Sequence, residues 1–173
     1  MKKSNTIPGN FFITKGSGCD EFEIHAGAMH MAMWDAGIAD YNLMQYTSVL
    51  PPTSEQVKLD DIDLPEPGSE LKTISAIATG RYGEFISAGI VFAWLYRDEN
   101  MSEKYMGLVC EVAGYYRLED IEAKLRDVIN NLYEKTYKTK KLILGEPEFF
   151  IEGLKITDTY GCAMVNLCFV DFD

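Results

Sequence analysis

The sequence predicts an α/β protein whose strands form a mostly antiparallel two-sheet sandwich flanked by helices, four layers in the order αββα. Three observations carry that prediction. Runs dense in Ala, Ile, Val and aromatic residues recur at strand length, separated by turn signals such as Arg97-Asp98-Glu99-Asn100. The segment from Arg117 to Tyr137 spaces Leu118, Ile121, Leu125, Val128, Ile129 and Leu132 at helical intervals with charges between them. The strand runs are too apolar to leave either face in water, so a helical layer is expected outside each sheet.

In chain order, a short strand is expected at Phe11 to Thr14, and Gly16-Ser17-Gly18 then reads as a loop. Ile24 to Trp34, rich in Ala and Met, predicts a helix that stops at Gly37. On a helical wheel Ala26, Met33, Trp34 and Gly37 share the direction of His30, which places His30 toward the interior or a cleft. Asn42 to Leu50 predicts a strand ended by Pro51-Pro52. The acidic stretch from Asp60 to Glu70 is a surface connection. Strands follow from Leu71, Phe85 and Tyr105, then the helix after Arg117, then strands near Phe149 to Ile156 and from Tyr160 to Phe172. No internal repeat interrupts this order.

The 173 residues suit a single domain, and 47% hydrophobic with 25% charged residues is an ordinary globular balance. A net charge of -11 disfavours a nucleic-acid partner, since the basic residues gather only at Lys135, Lys138, Lys140 and Lys141, a solvated helix end. Cys19, Cys110, Cys162 and Cys168 have no metal-ligand spacing and suggest neither zinc nor a disulfide framework, so reduced thiols are expected. No apolar run has the length of a signal peptide or membrane span, and a cytoplasmic protein with no membrane partner is expected.

Three short signals fail on their own chemistry. Gly16-Ser17-Gly18 lacks the rest of a nucleotide-binding fingerprint. His25 and His30 lie five apart, on different helix faces, with no third ligand, so no metal site is expected. Ser48 and His30 have no nucleophile elbow around the serine to make a hydrolase triad.

A fourth signal is stronger. The stretch AGIADYNLMQYTSVLPP from Ala36 resembles the pyruvoyl-dependent arginine decarboxylases, in which AGI, a short spacer, NL, a (Ser/Thr)-Ser pair, two aliphatic residues and proline follow one another. The likeness continues at Glu84 to Ile90, at Gly107-Leu108-Val109-Cys110-Glu111 and at Gly161-Cys162-Ala163, in the family's order and across nearly the whole chain.

This resemblance implies a self-cleaving precursor. The Ser48 hydroxyl attacks the Thr47 carbonyl, the peptide becomes an ester, and β-elimination separates residues 1–47 from residues 48–173, which then begin with a pyruvoyl group. Asn42 would assist the cut. The covalent pyruvoyl group would act as cofactor in place of pyridoxal phosphate, forming a Schiff base with a small-molecule amino acid, with L-arginine to agmatine as the implied reaction and polyamine supply as one use. Substrate contacts are implied at His30, Ala39, Tyr41, Thr47 and Val49, and a homotrimer of cleaved pairs, or a dimer of such trimers, as the assembly. Glu111 would be the proton donor, its pKa raised by apolar surroundings; alternation alone would make it an outward-facing strand residue.

At one position the chain departs from the pattern. His30 stands where the family commonly carries the Asp that reads the guanidinium, and neutral histidine offers one acceptor where Asp offers two charged ones. Another amino acid as substrate, and an uncleaved binding or assembly relative, are therefore the alternatives. Glu23 is a candidate substitute for the missing acid.

Overall fold

The computed structural model of the protein describes residues 7–22 and 26–172. Its chain order is β1 (Phe11–Asp20), α1 (Ala28–Asp35), β2 (Asn42–Gln45), β3 (Val49–Leu50), β4 (Glu70–Arg81), β5 (Phe85–Tyr96), β6 (Lys104–Gly114), α2 (Leu118–Leu132), β7 (Ile143–Leu144), β8 (Glu148–Lys155) and β9 (Tyr160–Phe169). One sheet runs β1-β9-β4-β2; the other runs β3-β6-β5, with β7 and β8 sharing the far side of β5. Only the β2–β4 pairing is parallel among the named strand pairs. The expected mostly antiparallel two-sheet sandwich with outer helices is what forms.

Strand alternation explains the layering. In β5, Ile86, Ala88, Ile90 and Phe92 meet Ile74, Ala76 and Ala78 of β4 and Val165 and Leu167 of β9 between the sheets. The opposite face of β5 carries Val91, Ala93 and Leu95, which pack under Ile121, Leu125 and Ile129 of α2. These three helix residues fall at four-residue spacing on one stripe and are fully buried, as the periodicity predicts. Lysines of the basic cluster after α2 are exposed, and Lys138 pairs with Glu134 at 2.8 Å.

Four sequence expectations need correction. Gly16 and Gly18 are not a loop: β1 continues through them to Asp20, in register with Met164 and Cys162 of β9. Their role is close approach, because a Cβ on Gly16 would lie 2.3 Å from the Ala32 carbonyl oxygen and one on Gly18 would lie 2.5 Å from the Met31 Cβ. Second, α1 begins at Ala28, later than expected, and buries Ala28 and Ala32 rather than its larger residues. Third, His30 is consequently exposed, as are Met31 and Trp34, the last at 68%. Small residues face the sheet because the glycines let the helix backbone come so near. Fourth, Asn42 to Leu50 is not one strand: its two ends belong to different sheets. Glu23 and His25 lie outside the described residues.

The helix stop is as expected. Gly37 has φ +72°, its N–H donates to Trp34 O at 3.0 Å, and the Ile38 N–H donates to Met33 O at 2.9 Å, a Schellman ending that only a residue tolerant of positive φ permits cheaply. Among the described residues no helix is long and apolar enough to cross a membrane. All four cysteines are free, and burial pushes the Cys162 thiol up to about 12 and the Cys110 thiol up to about 11, the latter helped by Glu111.

Candidate active site

The segment from Tyr46 to Leu50 crosses from one sheet to the other. Its last hold on the first sheet is the Tyr46 N–H, which donates to Thr73 O at 2.7 Å. The Tyr46 ring is held as well, 5.5 Å from the ring of Phe169 and 6.3 Å from that of Phe172. Its first hold on the second sheet is the Ser48 carbonyl, which accepts from the Val109 N–H at 3.0 Å. Val49 and Leu50 then pair with Leu108 and Gly107 of β6. Leu50 is buried, and it fits there because Gly107 opposite has no side chain: a Cβ at 107 would come within 2.9 Å of the Leu50 Cβ. The Thr47–Ser48 peptide therefore bridges two independently anchored points.

Alternation on β6 delivers the second group. Leu108 and Cys110 face α2, whereas Val109 faces the space between the sheets, and Glu111 shares the side of Val109. Glu111 is half-buried, and the Ser48 hydroxyl donates to its carboxylate, with Oγ 3.4 Å from Oε2 and 3.5 Å from Oε1. These are long contacts, beyond the roughly 2.5–3.0 Å usual for a hydroxyl donor. Burial holds the Glu111 carboxyl above the ordinary carboxylate range, opposed by its own backbone N–H and by the Ser48 hydroxyl. The outward-facing alternative for Glu111 does not hold.

Beside the crossing lies an open, mainly apolar groove of about 330 Å³, lined by Tyr46, Thr47, Val49, Leu50, Pro51 and Met106 among others. Among the described residues no charged side chain lines it. Of the expected substrate contacts it takes in Thr47 and Val49; Tyr41 packs instead beside Phe12 and Ile38, Ala39 is half-buried just after them, and His30 is exposed on α1. The Asn42 amide donates to Gly68 O at 2.8 Å, tying the start of β2 to the turn before β4 rather than reaching Ser48. Sequence reasoning missed Tyr46, Phe169 and Phe172. Their aromatic character was visible, but only the tertiary fold brings the end of the chain beside residue 46.

The chemistry available here is that of a nucleophilic hydroxyl on a peptide pinned from both sides, a carboxyl poised to exchange a proton with it, and a groove alongside. The family model described as pyruvoyl-dependent arginine decarboxylase matches residues 10–173. Curated relatives carrying that name are similar to this chain: one from Picrophilus torridus is 30% identical over 130 residues, 70% of this chain and 68% of the relative. One from Thermoplasma volcanium is 29% identical over 154 residues, 82% of this chain and 84% of the relative. One from Methanococcus aeolicus is 27% identical over 158 residues, 90% of this chain and 86% of the relative.

Proposed function

We infer the activity from the premise that the chain belongs to the pyruvoyl-dependent arginine decarboxylase family: it is a carboxy-lyase that cuts itself between Thr47 and Ser48 and converts L-arginine to agmatine and carbon dioxide. The observation that carries this reading is the Ser48 hydroxyl lying 3.4 Å from a Glu111 carboxyl whose proton affinity burial has raised.

Ser48 fits the precursor role by position as well as by type. Its hydroxyl is on the Cβ of the residue whose N-terminal peptide must be cut, and the chain is held on both sides of that peptide. Glu111 accepts the hydroxyl proton as Oγ adds to the Thr47 carbonyl. Elimination of the resulting ester frees the Thr47 carboxylate, and hydrolysis with loss of ammonia leaves the pyruvoyl group on residue 48. That group, once made, supplies a ketone electrophile and an electron sink for loss of carbon dioxide. Glu111 then stands beside residue 48 with a carboxyl that keeps its proton to higher pH than an ordinary carboxyl does, as a donor to the substrate Cα needs. The groove beside Thr47 and Val49 suits the aliphatic stem of an amino acid.

Among the described residues no acid lines that groove, which leaves the guanidinium to be read from outside them. An assembly of several cleaved pairs, expected as a trimer, supplies the means: the exposed face of α1 presents His30 beside Met31 and Trp34, an apolar surface fit for a neighbouring subunit. His30 in place of an Asp also favours a second reading, in which the same machinery takes a different amino acid. Asn42 is assigned an indirect part in the cut, through its hold on Gly68.

Intact mass spectrometry tests the cut. Wild-type protein should give the fragments 1–47 and 48–173, the larger one trapped by borohydride or phenylhydrazine, while Ser48→Ala should give one chain of 173 residues with no ketone and no activity. Cutting of Ser48→Ala at the same bond would sink the mechanism, and an uncut wild-type chain would leave a binding or assembly relative. Carbon dioxide release across arginine, ornithine, lysine, histidine and aspartate separates the two substrate readings.

A further inference from the structure

We propose that the main-chain N–H of Val49 is the donor that stabilises the oxyanion formed when the chain cuts itself; this rests on the self-cleavage reading. The Val49 N–H donates to the Thr47 carbonyl oxygen at 3.0 Å, closing a tight three-residue turn centred on Ser48. Ser48 is not among the residues with positive φ, so the turn takes its relaxed, inverse form. The turn is enforced from outside. The Val109 N–H holds the Ser48 carbonyl at 3.0 Å, and with that bond in the β3–β6 ladder the Val49 N–H points away from β6. It is left free to serve the one carbonyl that must be attacked.

The atoms balance. Ser48 Oγ forms a bond to the Thr47 carbonyl carbon, the carbonyl π electrons move onto its oxygen, and the hydroxyl proton goes to the Glu111 carboxylate. Collapse of that oxyanion breaks the bond between the Thr47 carbon and the Ser48 nitrogen, and the nitrogen takes up the proton. The product is an ester with the same composition as the peptide. Throughout, negative charge develops on the oxygen that the Val49 N–H already faces, within the 2.7–3.1 Å span expected of an oxyanion donor. Being a main-chain group, the donor is independent of the side chain at 49, and no residue type in the sequence announces it.

Val49 is 48% exposed, so its side chain can be changed without opening the core. Two alterations remove the N–H: Val49→Pro, and replacement of the Ser48–Val49 amide by an ester using the hydroxy-acid counterpart of valine. Val49→Ala keeps it. The rate of cutting is followed by intact mass on freshly purified protein, with circular dichroism reporting the fold. The expected result is a loss of about 100-fold for both alterations that remove the donor, with the dichroism unchanged, and a rate within about threefold of wild type for Val49→Ala. Cutting at the wild-type rate by the ester-substituted protein would overturn the proposal, whatever Val49→Pro does. An equal loss in Val49→Ala would overturn it too, by assigning the effect to the side chain. If unaltered protein is never cut, the self-cleavage reading has failed and takes this donor with it; an unaltered protein that cuts beside an unaffected ester variant condemns the donor alone.

Discussion

Placing one methyl group on Gly16 should lift α1 off its sheet. The Cβ of a Gly16→Ala variant would sit 2.3 Å from the Ala32 carbonyl oxygen and 2.5 Å from the Ala36 nitrogen, against 3.4 Å or more for ordinary contact. Both atoms are helix backbone, joined to each other by the hydrogen bond of the last helical turn, so no rotamer change can relieve the clash. Roughly 1 Å of retreat is needed, and it separates the fully buried Ala28 and Ala32 from the strands beneath them. Overpacking of a core commonly costs about 1–3 kcal/mol, and with two main-chain clashes the upper figure of about 3 kcal/mol applies. For a chain of this size that is a fall of about 6–12 °C in melting temperature. The assay is calorimetry in a Ser48→Ala background, where one uncut polypeptide melts, at matched protein concentration. Gly68→Ala is the control: unlike Gly16 it has positive φ, +87°, but a Cβ there meets nothing within 4 Å, and it should lose only about 1 kcal/mol. A Gly16→Ala protein melting within about 1 °C of its parent would refute the close-approach explanation of the glycines in β1.

Two further outcomes follow from the site. Burial raises the Glu111 carboxyl above its ordinary 4.5, so the group is neutral in folded and unfolded chains at low pH, and stability drains away as pH climbs from that value through the raised one. In the Ser48→Ala background, Glu111→Gln should therefore melt higher than its parent above this window and match it below; a gap independent of pH would contradict the assignment. Restoring an acid on α1 with His30→Asp should lower KM for arginine about tenfold, through a charge-assisted contact, and leave KM for histidine unimproved. Equal changes for every amino acid tested would show that residue 30 does not face the substrate side chain.

What could be read ahead of the structure follows from where each signal originates. The segments now seen as β4, β5 and β6 were legible almost to the residue, and α2 in its buried face though not in its end, which falls at Leu132 rather than Tyr137, since their patterns repeat within one element: Ile121, Leu125 and Ile129 announce a stripe without help from elsewhere. Gly16 and Gly18 misled because the reason for a glycine lay in α1, a partner the local sequence does not display. The orientation of α1 misled for the complementary reason, its large residues Met31 and Trp34 facing outward while alanines face the sheet. The crossing at Thr47–Ser48 reads as one extended segment, since extended backbone carries no mark of which sheet it joins. Glu111 was half legible: its residue type was plain, but its shared face with Val109 had meaning only once β6 was placed between β5 and the edge.

If the chain is cut after Thr47 as proposed, the strand order also decides the fate of the pieces. Residues ahead of the cut supply β1, zipped to β9 over ten paired positions, and β2, paired to β4; residues after it supply both of those partners. The small fragment would thus stay woven into the large one, as in a split protein whose halves never part. Two fragments expressed separately could reassemble this sandwich yet would lack the peptide bond from which the ketone is made. Maturation would then work as a receipt issued once per chain, printed only where both sheets have closed around Ser48, and the cut fraction in a preparation would count the molecules that have folded.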